Sequence, residues 1–311
     1  MAVVTAMCKL LLAMAIGFVL FRKGVFNPEI NKKLSYLVVT ITSPLLTLYS
    51  ISTVGDGAKS VVLKLFFSGI ACYAIFVVAG WLFTKVFRVP KALCGIYMCF
   101  MIFSNNAFMG YPVVQSLYGD SAIFYITIFN MPYNMLFYSL ALYMLQRDAA
   151  LEEPSLQRQK FSPKKLVNPG ILAALGALLI YFAGIRMPDI FYSCCGFIGN
   201  LTPPLSMLLI GSSLAASSLA DVRSEKRLLP LAMAMRLAVI PVIVWVFLHL
   251  VLEDTTLINI STIGAAMPVG SLVAMGAAPY ARQSKVANIG VALSTVLSIL
   301  TIPIAALLLG A

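Results

Sequence analysis

Two segments of this chain repeat one another half a sequence apart, and that repeat restricts the available folds more than any single motif. Gly24-Val25-Phe26-Asn27-Pro28-Glu29-Ile30 returns as Gly184-Ile185-Arg186-Met187-Pro188-Asp189-Ile190, and at the same offset of 160 residues Thr42-Ser43-Pro44-Leu45 returns as Thr202-Pro203-Pro204-Leu205. Later in each half a proline interrupts another apolar stretch, Pro112 after Met109-Gly110-Tyr111 and Pro268 after Ala265-Ala266-Met267. Duplicated halves with interrupted apolar segments in corresponding places are the pattern of carriers built from internal repeats, and the interruptions mark where a solute binds.

The solvent of the folded chain follows from composition. With 61% hydrophobic and 11% charged residues over 311 positions, polar side chains cannot cover a water-facing surface. Ten stretches are long enough to cross about 30 Å of hydrocarbon. They run over 3–21, 34–54, 61–86, 92–118, 121–145, 166–183, 190–214, 228–252, 256–280 and 286–309. The first lacks a basic leader and a small-residue cleavage site, so it reads as a retained helix.

Connections 1–2, 3–4, 5–6, 7–8 and 9–10 hold 17 of the 22 basic residues, which by the positive-inside rule makes these connections cytoplasmic and puts both termini outside. The net charge of +11 therefore calls for no nucleic-acid partner. A boundary after the fifth span divides the chain into a first five-helix repeat (1–146), a cytoplasmic linker (147–165) and a second five-helix repeat (166–311). Because each half has an odd number of spans, the two enter the membrane from opposite sides. The expected fold is an all-α polytopic membrane protein of ten transmembrane helices in two inverted repeats, with proline-broken helices 4 and 9 crossing.

At the crossing, proline removes a backbone donor and opens the helix, so Pro112 and Pro268 are expected to free carbonyls near Phe108 and Gly264. New half-helices are expected at Val113-Val114-Gln115 and at Val269-Gly270-Ser271, their positive starts favouring an anion. Gly110, Gly264 and Gly270 flank the breaks and permit close approach. None of the 11 acidic residues falls in the middle of a span, which leaves no carboxylate proton relay or carboxylate-built cation site. Arg236 in the eighth span is the buried-looking exception, there to attract an anion, to brace carbonyls released by a broken helix, or, one turn from the cytoplasmic end, to snorkel to the interface. Asn105, Asn106, Asn130 and Asn134 supply neutral amides that can donate to a carboxylate.

The six cysteines, all within apolar stretches and without C-x-x-C spacing, read as buried free thiols, and His249 as a structural interfacial imidazole. No nucleophile-and-base set, glycine-rich phosphate loop or metal-ligand cluster occurs, so the sequence supports no enzyme chemistry, no cofactor and no metal.

In Ser43-Pro44-Leu45-Leu46, Asn105 through Asp120, Asn168-Pro169, Ala232 through Arg236 and Ala265 through Gly270, the chain resembles the auxin efflux carriers. These include plant PIN-type exporters and bacterial permeases for small dicarboxylates. The resemblance implies a scaffold from helices 1, 2, 6 and 7, a transport domain from helices 3–5 and 8–10, and elevator-type movement. Carried over to this chain, it implies substrate-facing positions at Asn105, Asn130, Pro112, Pro268 and Ser43. Two positions depart from the plant pattern: the third span reads Ser68-Gly69-Ile70-Ala71-Cys72 with no acid, and Val269 follows the second crossing proline where plant members often carry Gln.

The expected activity is carriage of a small organic anion, a mono- or dicarboxylate, without obligatory sodium. The partners are that anion and the lipid bilayer; the oligomeric state stays open, with a homodimer as one candidate. Two rivals remain: a sodium-coupled organic-anion symporter of the bile-acid type, and an anion-binding membrane receptor that moves nothing.

Overall fold

A computed structural model describes residues 2–54, 59–152, 168–216 and 227–310. Most of the expected linker, from residue 153 on, lies outside the described residues, as do Arg223 and Lys226 of the 7–8 connection. Among the described residues the chain is helical throughout, with one isolated antiparallel bridge between Ser104 and Val269.

The helices are α1 (Ala2–Arg22), α2 (Pro28–Thr53), α3 (Lys59–Val86), α4 (Lys91–Ile102), α5 (106–118), α6 (121–149), α7 (Pro169–Ala183), α8 (Asp189–Ala216), α9 (Leu228–Val251), α10 (Thr255–Ala266), α11 (Ser271–Ala277) and α12 (Ala281–Leu308). Six of them (α1, α2, α3, α8, α9 and α12) contain stretches long and apolar enough to cross a membrane. The starts of α2 and α7 are set by capping: the Asn27 and Asn168 side chains accept from Ile30 N–H (2.9 Å) and Ile171 N–H (3.0 Å), each with proline at the first helical position. That cap carries α2 into the polar turn Pro28-Glu29-Ile30-Asn31-Lys32-Lys33, six residues ahead of its hydropathic start.

The repeat has local counterparts in structure. Gly24 and Gly184, 160 residues apart, both take left-handed backbone (φ +75° and +66°) after α1 and α7. The Thr202 hydroxyl donates to that of Thr42, its repeat partner, at 2.9 Å. Nearby, α1 and α8 press backbone to backbone, since a Cβ on Gly17 would lie 2.0 Å from the Leu208 carbonyl oxygen and one on Gly211 would lie 1.8 Å from that of Met14.

Three prolines inside helices are preceded by widened turns. π-type turns at Val38–Thr42, Asn106–Gly110 and Met235–Val239 each end two residues before a proline, Pro44, Pro112 and Pro241. The wider turn moves the carbonyl with which the ring would clash, so the helix continues. This corrects one sequence expectation. The fourth stretch is interrupted at 103–105, not at Pro112, and its second half starts at Asn106 instead of Val113. In the ninth stretch Pro268 does lie in the gap, between Ala266 and Ser271.

The cysteines are free, but Cys8 and Cys194 are exposed on the bundle surface and only Cys72, Cys99 and Cys195 are buried. An apolar stretch facing lipid leaves its thiols uncovered by protein.

Candidate functional site

The two interruptions meet inside the bundle. Asn105 N–H donates to the Pro268 carbonyl (2.8 Å) and Gly270 N–H to the Phe103 carbonyl (2.9 Å), so the gap after α4 pairs with the gap after α10 as a two-bond antiparallel bridge. Ser104, Asn105, Asn106, Met267 and Val269 are all buried there. Unpaired backbone is costly away from water, and each gap satisfies part of the other.

Arg236 closes the arrangement on one side. It is fully buried, and its guanidinium donates to the Met101 carbonyl at the end of α4 (2.9 Å) and to the Ala265 and Met267 carbonyls at the end of α10 (2.9 and 3.0 Å), with Nε also reaching Met267 (3.1 Å). A fixed fork of donors suits this work, because four N–H groups meet three carbonyls at two helix ends. The charge sits where both helix dipoles are negative.

On the other side lie the helix starts. The N–H groups of Ala107 and Phe108 in the first turn of α5 have no partner among the described residues, and neither do those of Ser271 and Leu272 in α11. The Asn105 side chain likewise makes no hydrogen bond among them. Val269 N–H is tied to Ser294 Oγ (3.1 Å), which fixes the second gap to α12.

A second layer holds the first. Asn106 Nδ2 donates to Ser104 Oγ (2.6 Å) and to Asn130 Oδ1 (2.8 Å), which also accepts from Tyr73 Oη (2.8 Å), while Asn130 Nδ2 donates to the Ile126 carbonyl (2.9 Å). Asn130 itself stands at an irregular step between Ser121–Phe129 and Met131–Leu136 of α6. Asn106 Oδ1 is buried without a partner; a Cβ at Gly110 would lie 2.5 Å from it and one at Gly264 3.4 Å. The Tyr133 hydroxyl reaches the start of α11, where a Cβ at Gly270 would lie 2.7 Å away, so glycine makes room for it.

The sequence-derived positions thus divide. Asn105, Pro268, Gly270, Gly264 and Arg236 converge on the crossing, Asn130 and Gly110 adjoin it through Asn106, and Pro112 lies further along α5 within its second segment. Asn134 is half-buried and outside the hydrogen-bonded cluster, and Ser43 is buried on α2 with no side-chain bond to it. Tyr73 and Tyr133 were not singled out from the sequence. A tyrosine in an apolar helix carries no signal of its own, and only the fold brings these two to the amides.

A multi-pass helical bundle with two interrupted helices paired at their gaps defines a membrane transport protein. The chain belongs to the membrane transport protein family, of auxin efflux carrier or PIN type, whose family model matches residues 2–306. No curated protein matches it in sequence.

Proposed function

We propose that this protein carries a small organic anion, a mono- or dicarboxylate, bound where the two interrupted helices pair. The supporting observation is the sorting of dipole ends around Arg236. The negative ends of α4 and α10 are occupied by a guanidinium, whereas the starts of α5 and α11 keep unpaired N–H groups beside the open Asn105 amide and the Tyr133 hydroxyl. Such a crossing is rich in donors and, among the described residues, holds no carboxylate, which suits an anion. In this reading the chain makes ten membrane passages in two inverted halves, with both termini outside, and α3–α6 with α9–α12 move as one body against α1, α2, α7 and α8.

The test is uptake and counterflow of a labelled carboxylate panel in proteoliposomes, with and without sodium and pH gradients. Saturable movement of at least one mono- or dicarboxylate in sodium-free buffer is expected. Saturable binding with no flux would replace the carrier with a receptor.

A further inference from the structure

Polar contacts inside each of the two proposed bodies are distributed over their length. In one, Thr202 meets Thr42 and Ser212 meets Asn31 (2.9 Å each). In the other, Arg236 ties α9 to α4 and α10, Gln283 Nε2 ties α12 to the Leu145 carbonyl (3.0 Å) and the Ala92 carbonyl (3.3 Å), and Tyr73 ties α3 to α6. Among the described residues, hydrogen bonds that cross between the bodies occur at one end of the bundle, where α2 gives way to α3 and α5 to α6. There Tyr49 Oη donates to Asp120 Oδ2 (3.2 Å), Gln115 Nε2 donates to both Asp120 Oδ1 (2.8 Å) and Asn200 Oδ1 (3.0 Å), and Lys59 Nζ donates to the Phe182 carbonyl (2.6 Å).

The first three bonds form one connected set. Tyr49 and Asn200 belong to α2 and α8, Gln115 and Asp120 to α5 and the step into α6, so the set reaches across the joint twice. It is built with care for shape: a Cβ on Gly196 would lie 2.8 Å from the Tyr49 ring, so only glycine lets the ring lie on α8 with its hydroxyl at Asp120. Asn200 stands one helical turn beyond Gly196, and Gln115 Oε1 is buried without a partner, so this amide is spent entirely through its nitrogen.

We propose that Tyr49, Gln115, Asp120 and Asn200 form a latch that closes the outer side of the crossing site and has to open before that site faces outward. The proposal rests on the two-body reading and the outward orientation above. Movement of α5 and α6 past α2 and α8 breaks both cross-joint bonds together, while the Gln115–Asp120 bond travels with the moving body.

Accessibility of a buried reporter tests this without knowledge of the substrate. In a cysteine-free background, Ser43→Cys on α2 is labelled with an impermeant maleimide from outside, and Glu253→Cys in a parallel sample reports side and reagent. Tyr49→Phe and Asp120→Ala each remove the Tyr49–Asp120 bond and are each expected to raise the Ser43→Cys labelling rate about five-fold, the population change carried by one net hydrogen bond. Lys33→Ala, which removes the exposed Lys33–Glu29 pair (2.7 Å), is expected to leave it unchanged. Unchanged rates in both latch variants with normal Glu253→Cys labelling overturn the latch, and so does a rise shared by Lys33→Ala. If outside labelling rises while labelling from the opposite side does not fall, the latch stands and the alternating two-body reading fails.

Discussion

Arg236 shows how one buried side chain can be spent on the ends of two helices. A buried guanidinium is costly unless its donors are met, and here three carbonyls meet four of them. Lysine in its place has a single charged centre and cannot span two helix ends. Arg236→Lys should therefore lower the stability of the detergent-solubilised protein by about 2 kcal/mol, and Arg236→Met by about 3–5 kcal/mol because carbonyls are left buried and unpaired. Thermal unfolding of both variants checks this. The neighbouring amides are expected to separate. Asn105→Ala should weaken carboxylate binding by about 1–3 kcal/mol with little change in melting temperature, since its amide has no other partner and the lost bond is charge-assisted. Asn130→Ala should instead destabilise the fold, because two donors, from Tyr73 and Asn106, lose their acceptor. Equal effects of the two variants on binding and on melting would place both in packing.

Among the elements, capping and close approach decide more than hydropathy. α2 starts at Pro28 because Asn27 caps it, and a hydropathy reading that begins at residue 34 excludes the whole polar turn. The interrupted ninth stretch was legible, since Pro268 and Gly270 are both in its gap. The fourth was legible as an interrupted stretch but misplaced. A proline is the loudest local signal, yet Pro112 follows a π-type turn that accommodates it, while the actual gap falls at Phe103-Ser104-Asn105, with no proline at all. Its cause is tertiary: the partner gap supplies Pro268 O and Gly270 N–H, and no local rule contains that. The run Ser104-Asn105-Asn106, side chains that compete with helix hydrogen bonding, was the only hint. The α1–α8 contact gives a sharper element-scale test. Gly211→Ala puts a methyl group 1.8 Å from the Met14 carbonyl oxygen, where backbone has to move, and should cost at least about 1–3 kcal/mol. Gly176→Ala, whose nearest neighbour would be the Leu48 side chain at 3.9 Å, should be tolerated. Comparable melting temperatures for the two would mean that α1 and α8 are less closely packed than this.

For the whole molecule the charge distribution argues orientation and the charge inventory argues driving force. Lys32 precedes most of α2 and Glu253 lies in the turn between α9 and α10, 4.0 Å from Lys64 near the start of α3. Single cysteines at Lys32 and Glu253 should therefore react with an impermeant reagent from opposite faces of the membrane, Glu253→Cys from outside. Labelling of both from the same face would refute the topology. The driving force follows from what surrounds the crossing. Arg236 is spent on helix ends, its neighbours there are amides, hydroxyls and backbone N–H groups, and the acidic residues among the described ones lie in connections or near helix ends. Carriers hold sodium with carboxylates and with the free carbonyls of broken helix ends; among the described residues no carboxylate stands at this site, and Arg236 already occupies the carbonyls of Met101, Ala265 and Met267. An inside-negative potential pushes a monoanion outward by about 2.3 kcal/mol per 100 mV if a full charge crosses. On the proposed reading, export needs no coupling ion, and the flux of a monocarboxylate in proteoliposomes should follow an imposed potassium diffusion potential, reversing direction when the potential is reversed. Flux that ignores the potential but rises steeply with sodium at fixed pH would show that a cation neutralises the substrate during passage, and would move this chain's mechanism to that of the sodium-coupled symporters.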